Sequence, residues 1–219
     1  MKSMSSRFLQ IFVTGVVLTV GSAAANPIFV NNFSFENLPV GGLTNACGSG
    51  CSYSFNTAIP GWSSSGGQGQ IQAGAVPVFN SIPDGTVVAF SNGGTISQTV
   101  GPIVQLGIVY TLLVDLGQRT DTAFVSSAAL LINGNTYAAT GINPTSGNFS
   151  TFTATYTGLA ADVGQAITIQ LASSGIQGIF DNVRLSDSVV TPTPEPGVMS
   201  MFAGGLGAIV LLSRRLRRQ

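Results

Sequence analysis

One dense charged stretch ahead of the C-terminus is Asp115-Leu-Gly-Gln-Arg119-Thr-Asp121. Two carboxylates around a guanidinium could hold a polar ligand. With one carboxyl raised in pKa and a separation of about 5–9.5 Å, they could also act as a glycosidase pair. The spacing alone creates no such pair. Asp84 is a third available acid, and Glu36 is the only glutamate before Glu195. An Asp–Arg–Asp ion network is the structural alternative and the one the local spacing favours. The chain has no histidine, so no Ser-His-Asp or Cys-His nucleophile system and no His-bearing zinc site can be assembled. The only thiols, Cys47 and Cys51, are too few for a four-Cys metal site. At that separation, in an oxidising compartment, they predict one local disulfide.

Two further groups invite a site. On the last strand Ile179, Val183 and Leu185 share a face with Asp181, so alternation predicts an inward carboxylate there. A buried carboxylate must shift its pKa, pair, or bind a cation. The partners on offer are Arg184, backbone amides, or a structural Ca²⁺ shared with Glu36 and loop carbonyls. Capping of a turn through backbone N–H groups is the other outcome. Trp62, the only tryptophan, could stack on a sugar ring. A lone large aromatic after Pro60-Gly61 is more often core. Tyr53, Phe55 and Phe79 are alternative platforms.

The elements that would position these residues are strands. Tyr110, Leu112, Val114 and Leu116 alternate with Thr111, Leu113, Asp115 and Gly117. Phe152, Ala154 and Tyr156 alternate with threonines, and Ile167, Ile169 and Leu171 with Thr168 and Gln170. Further strands are expected at 28–36, 68–72, 86–91, 95–100, 128–133, 136–140 and 179–185. Turn signals separate them, including Pro83-Asp-Gly and Asn92-Gly-Gly, and Asn133-Gly134 predicts a hairpin. No long helical period occurs between the chain ends. The pattern implies an all-β, two-sheet β-sandwich, a jelly roll, with a β-solenoid disfavoured by the lack of a fixed repeat.

Both ends are set apart by composition. Lys2 and Arg7, the apolar stretch 8–20 and Ala23-Ala24-Ala25 have the layout of a signal peptide, with cleavage after Ala25. This implies export by the Sec machinery and removal by signal peptidase. At the other end Pro194-Glu195-Pro196 precedes an apolar run, 197–212, and a tail carrying Arg214, Arg215, Arg217 and Arg218. The run is about 16 residues, slightly short of the roughly 20 that span a bilayer. Tilt-free insertion with local thinning and snorkelling arginines covers the difference. The arginines should stay cytoplasmic, leaving the preceding chain outside. The expected organisation is signal peptide 1–25, sandwich ectodomain 26–188, Pro-rich linker 189–196, and transmembrane helix with basic tail 197–219.

Between the ends Arg119 and Arg184 are the only basic residues against seven acids, a net charge of −5. Such a surface cannot neutralise a phosphate backbone, which argues against nucleic-acid binding.

The ordered Pro-Glu-Pro, apolar run and arginine cluster resemble a PEP-CTERM sorting signal. That resemblance implies an exported protein of a Gram-negative cell, inserted in the inner membrane as precursor with its C-terminus cytoplasmic. It further implies an exosortase-type processing enzyme as partner, and a destination at the cell surface or in an exopolysaccharide or biofilm matrix. A second, shorter series is Asn31-Asn32-Phe33-Ser34-Phe35-Glu36, Ile59-Pro60-Gly61-Trp62, Pro83-Asp84-Gly85 and Phe180-Asp181-Asn182-Val183. It is similar to galactose-binding-like jelly rolls of carbohydrate-binding modules. This resemblance implies a non-catalytic polysaccharide- or matrix-binding module, and supports calcium on Glu36 and Asp181. A purely structural adhesion protein is the main alternative, and a polysaccharide-active hydrolase comes third.

Overall fold

The computed structural model describes residues 25–48, 50–73 and 78–189. Expectations resting on the signal peptide, on Pro194–Pro196 and on the apolar run with its arginines lie outside the described residues. Among the described residues no helix is long and apolar enough to cross a membrane.

Eleven strands follow one another: β1 (Asn26–Ile28), β2 (Asn45–Ala46), β3 (Ser52–Tyr53), β4 (Ser63–Gln72), β5 (Val87–Ile103), β6 (Ile108–Gly117), β7 (Ser126–Ile132), β8 (Asn135–Ala138), β9 (Phe149–Thr157), β10 (Ala166–Ser173) and β11 (Gly178–Val189). A single 3-10 turn, Ala160–Asp162, is the only helix among the described residues. All strand pairs are antiparallel. The all-β expectation holds, and the arrangement is consistent with a sandwich of the jelly-roll class.

One layer is β8–β7–β10 and the second half of β5, from Thr95 on. The other is β9–β6–β11, continued by β1 and by the first part of β5, Val87–Ser91. β4 runs alongside both halves of β5, with β3 and β2 outside it. A single strand thus serves both layers, where the sequence predicted two strands and a turn. The Asn92-Gly93-Gly94 signal makes a bulge instead. Asn92 pairs with Gly67 and Thr95 with Ser65, so β5 carries one extra residue there. A side chain at Gly94 would collide with the Ser65 carbonyl, and Gly93 holds φ +72°. The extra residue flips the alternation: Ala89 faces the core before the bulge, Ile96 and Val100 after it.

The expected strand at 28–36 is correspondingly short. After Ile28 the chain leaves the sheet for a turn in which Asn32 and Phe35 take positive φ. Asn32 fastens it through its side chain, which donates to Asn37 O and Pro60 O and accepts from Asn37 N–H. Phe35 and Trp62 both sink into the core, ring centroids 5.4 Å apart.

Between the layers lies the core that the periodicity foretold: Leu112, Val114, Leu116, Phe152, Ala154, Ile167, Ile169 and Leu171. A second apolar cluster sits outside the β5–β11 layer. It contains Cys51, Ile71, Val78, Phe79, Val88, Phe90 and Ile179.

Candidate functional site

The outer cluster floors an open cleft of about 530 Å³. Its described walls are Tyr53, Phe55, Ile71, Val78, Phe90, Asn92, Arg119, Asp121 and Gln177, with the Cys47–Cys51 disulfide at the rim. β5 supplies Phe90 because alternation ahead of the bulge turns Val88 and Phe90 outward. Two glycines of β4 make room for the rings. A Cβ on Gly69 would strike Ser54 O and the Phe90 ring, and one on Gly67 would press on Phe55 at 3.3 Å. Phe55 and Phe90 consequently stack nearly parallel, centroids 6.4 Å apart with 6° between planes.

Charge enters from the loop after β6. Arg119 Nε donates to Asp121 Oδ1 at 2.9 Å and Nη2 to Oδ2 at 2.8 Å, while Nη1 donates to Gln177 Oε1 at 2.5 Å. This bidentate pair holds the Asp121 carboxyl below its ordinary pKa, through the guanidinium hydrogen bond first. Asp121 is therefore a carboxylate at neutral pH, unable to donate a proton. Asn92 contributes a buried Oδ1 with no partner in the protein, as does Gln68 its Oε1, whose amide nitrogen reaches Thr57 O.

Asp115 does not join Arg119 and Asp121, contrary to the network expected from the sequence. As the register partner of Asp181 on β11, it accepts from Thr151 Oγ1 at 2.5 Å and Asn182 Nδ2 at 2.8 Å. Arg184 Nη2 approaches it at 3.7 Å. Sequence neighbours were separated because Asp115 lies within β6 and Arg119 beyond its end.

Asp181 is wholly buried, as expected, but on the opposite face from the one predicted. Phe180 belongs to the inner core and Ile179 to the outer cluster, so Asp181 points outward with Ile179. Asn182 takes φ +49° in a register shift, which returns Val183 and Leu185 to the core. Asp181 Oδ2 accepts the Asp84 N–H at 3.0 Å and Oδ1 the Asn182 N–H at 2.7 Å. Burial nevertheless pushes its pKa up to about 8, and the nearby Asp84 and Asp115 charges add to that while the two N–H groups oppose it.

Glu36 and Asp181 grip the same turn from two sides. Glu36 Oε1 accepts from Thr86 N–H at 2.7 Å and Val87 N–H at 2.8 Å, and Oε2 from Thr86 Oγ1 at 3.4 Å. Gly85 is required there, because a Cβ would overlap the Glu36 carboxylate. Among the described residues no three acids or thiols gather as a metal site. Backbone hydrogens, rather than a third oxygen ligand, meet both carboxylates.

Trp62 is buried, its Nε1 3.3 Å from Asn32 O, and belongs to the core rather than to a ligand surface. Phe79 packs against Phe149 in the outer cluster. Of the alternative platforms, Tyr53 and Phe55 do line the cleft. Sequence reasoning missed Phe90, Asn92 and Gln177. The signal that could have found Phe90 was the pair of β4 glycines, which only a close-lying partner explains.

The chain matches no curated protein. Among solved structures it is similar to the CBM22-1 xylan-binding domain of Xyn10C from Paenibacillus barcinonensis. The identity is 12% over 78% of this chain and 100% of that one, with a TM-score of 0.49. A structure described as "CBM4 structure and function" shows 20% identity over 73% of this chain and 99% of that one, TM-score 0.39. The HpiC1-like family model, described as HpiC1 cyclase, matches residues 26–186. That match takes in β1 to β10, most of β11 and the cleft they build, and by it the chain belongs to the HpiC1-like family.

Proposed function

We propose that this is an exported, surface- or matrix-associated binding protein, membrane-inserted as its precursor, whose outer cleft takes a neutral saccharide from a surface or matrix polymer. Its jelly roll serves as a carbohydrate-binding module without catalytic activity. The PEP-CTERM-like tail and the signal peptide supply its delivery, through Sec export, signal peptidase and an exosortase-type enzyme. The observation that carries the binding reading is the cleft's chemistry. Phe55, 44% exposed and stacked on buried Phe90, offers an apolar face to sugar C–H groups, beside Arg119, Asp121 and Gln177, which call for hydroxyls. The Arg119–Asp121 pair is internally neutral, so the site favours an uncharged polymer over an anionic one.

Binding is tested by calorimetry with neutral oligosaccharides. Phe55→Ala and Arg119→Ala are each expected to weaken binding about tenfold or more, in line with ~1.5 kcal/mol for a lost aromatic or charged contact. Absence of any saccharide binding by the wild-type chain would defeat the proposal.

Family membership favours a second reading, a cyclase, in which a carboxylic acid could serve as proton donor. Asp181, with its pKa at about 8, is the described acid fitted to that task. It ranks second because Asp181 is fully buried and is not among the described residues lining the cleft. Turnover of a small organic substrate, lost in Asp181→Asn, would put the cyclase first.

A further inference from the structure

We infer that the end of the sandwich opposite the cleft is a lipid-facing tip that rests on the bilayer surface beside the tail. At this end the β5–β6 turn, the β9–β10 connection and the end of β11 are stitched together. Gly107 N–H donates to Gly158 O, Gly158 N–H to Ile108 O, and Gly164 N–H to Val104 O, while Val189 pairs with Ile108. Each of these segments presents a large aliphatic side chain to solvent: Ile103, Leu106, Leu159, Val163 and Val189, all at least half exposed. Singly such residues are ordinary. Five on one end form the kind of patch that marks an interaction surface.

The tip also carries little charge. Asp162, within the β9–β10 connection, is buried and turned inward, bonded to Tyr156 Oη at 2.6 Å and Asn133 Nδ2 at 2.8 Å. Asp187, next along β11, is tied to Asn26 Nδ2 at 3.0 Å. Both described arginines lie elsewhere, Arg119 beyond the far end of β6 and Arg184 beside Asp115. The occupant is therefore recognised chiefly by apolar contact.

The chain itself names that occupant. β11 ends at Val189 within this patch, and seven residues, 190–196, separate it from the apolar run 197–212 with its basic terminus. Even fully extended, seven residues reach only about 25 Å. Insertion of the run thus holds the tip against the headgroup and acyl boundary, where exposed aliphatic side chains gain by partial burial. The inference rests on the tail reading given above. It adds an orientation: β11 spans 12 residues from Gly178 beside the cleft to Val189, so the cleft stands roughly 36 Å from the tip, facing away from the membrane.

The test reconstitutes the full chain into phosphatidylethanolamine and phosphatidylglycerol vesicles with brominated acyl chains. Tryptophan is placed at the tip (Leu106→Trp) or near the cleft end (Ser146→Trp), with buried Trp62 as internal reference. The expected result is at least threefold stronger bromine quenching at 106 than at 146, insensitive to salt. A further variant, Ile103→Ser with Leu159→Ser and Val163→Ser, should lower the quenching at 106 without releasing the chain from vesicles. A chain that does not float with vesicles overturns the tail reading and this inference together. A chain that floats with equal quenching at both positions overturns this inference alone. A blue shift at 106 without quenching, accompanied by a dimer in sedimentation, would assign the patch to a second copy and overturn it too.

Discussion

The two apolar clusters on either side of the β5–β11 layer obey different rules. The inner one is built from side chains at alternate positions of long strands and closed on both sides by sheet. The outer one is covered by short strands and loops, and it leaves a cleft of about 530 Å³ bordered by an ion pair and amides. The same hydrophobic effect made both. What differs is the covering: a sheet can seal a face, whereas loops with unpaired polar groups leave it partly open, and an open apolar floor with polar walls is where ligands go.

The largest expected effect comes from breaking the sealed side. Phe180→Ala removes a fully buried ring from the inner core and should cost about 3–5 kcal/mol, read as a shifted midpoint in urea. Phe55→Ala on the open side should cost under about 1 kcal/mol, since that ring is 44% exposed. Equal losses at the two positions would erase the distinction between the clusters.

Asp181 sharpens the comparison through pH. Its pKa is about 8 in the folded protein against an ordinary 3.8. Between those values the folded state binds more protons than the unfolded chain, so stability falls as pH rises from about 4 to 8. The loss approaches roughly 1.4 kcal/mol for each pH unit inside that window, several kcal/mol in all. Thermal melts across the range should decline for the wild type and flatten for Asp181→Asn. A wild-type Tm that climbs steadily from pH 4 to 8 would contradict a buried carboxyl with a raised pKa.

The smallest effect is expected from calcium. Glu36 and Asp181 already accept backbone N–H groups of the 84–87 turn and Asn182, so EDTA should leave the melting temperature within about 1 °C. A clear fall with EDTA, restored by Ca²⁺, would support the shared cation that the sequence suggested.

Alternation along β6, β9 and β10 determined the inner core, because a period of two leaves a half-buried strand only one way to face. The Asn133-Gly134 hairpin was equally local: both residues take positive φ there, as a tight strand reversal requires. The want of histidine and the two closely spaced thiols likewise bounded the chemistry without any coordinates. Tertiary structure decided what no periodicity contains. One extra residue at Gly93-Gly94 let β5 cross between layers, and one left-handed residue at Asn182 moved Asp181 to the outer face. Asp115 and Arg119, four positions apart, were parted by the end of a strand, whereas Arg119 met Gln177 from the far side of the chain. A single inserted residue reverses the facing of all that follow it, so residue types could nominate the functional side chains but only long-range pairing could say which would meet.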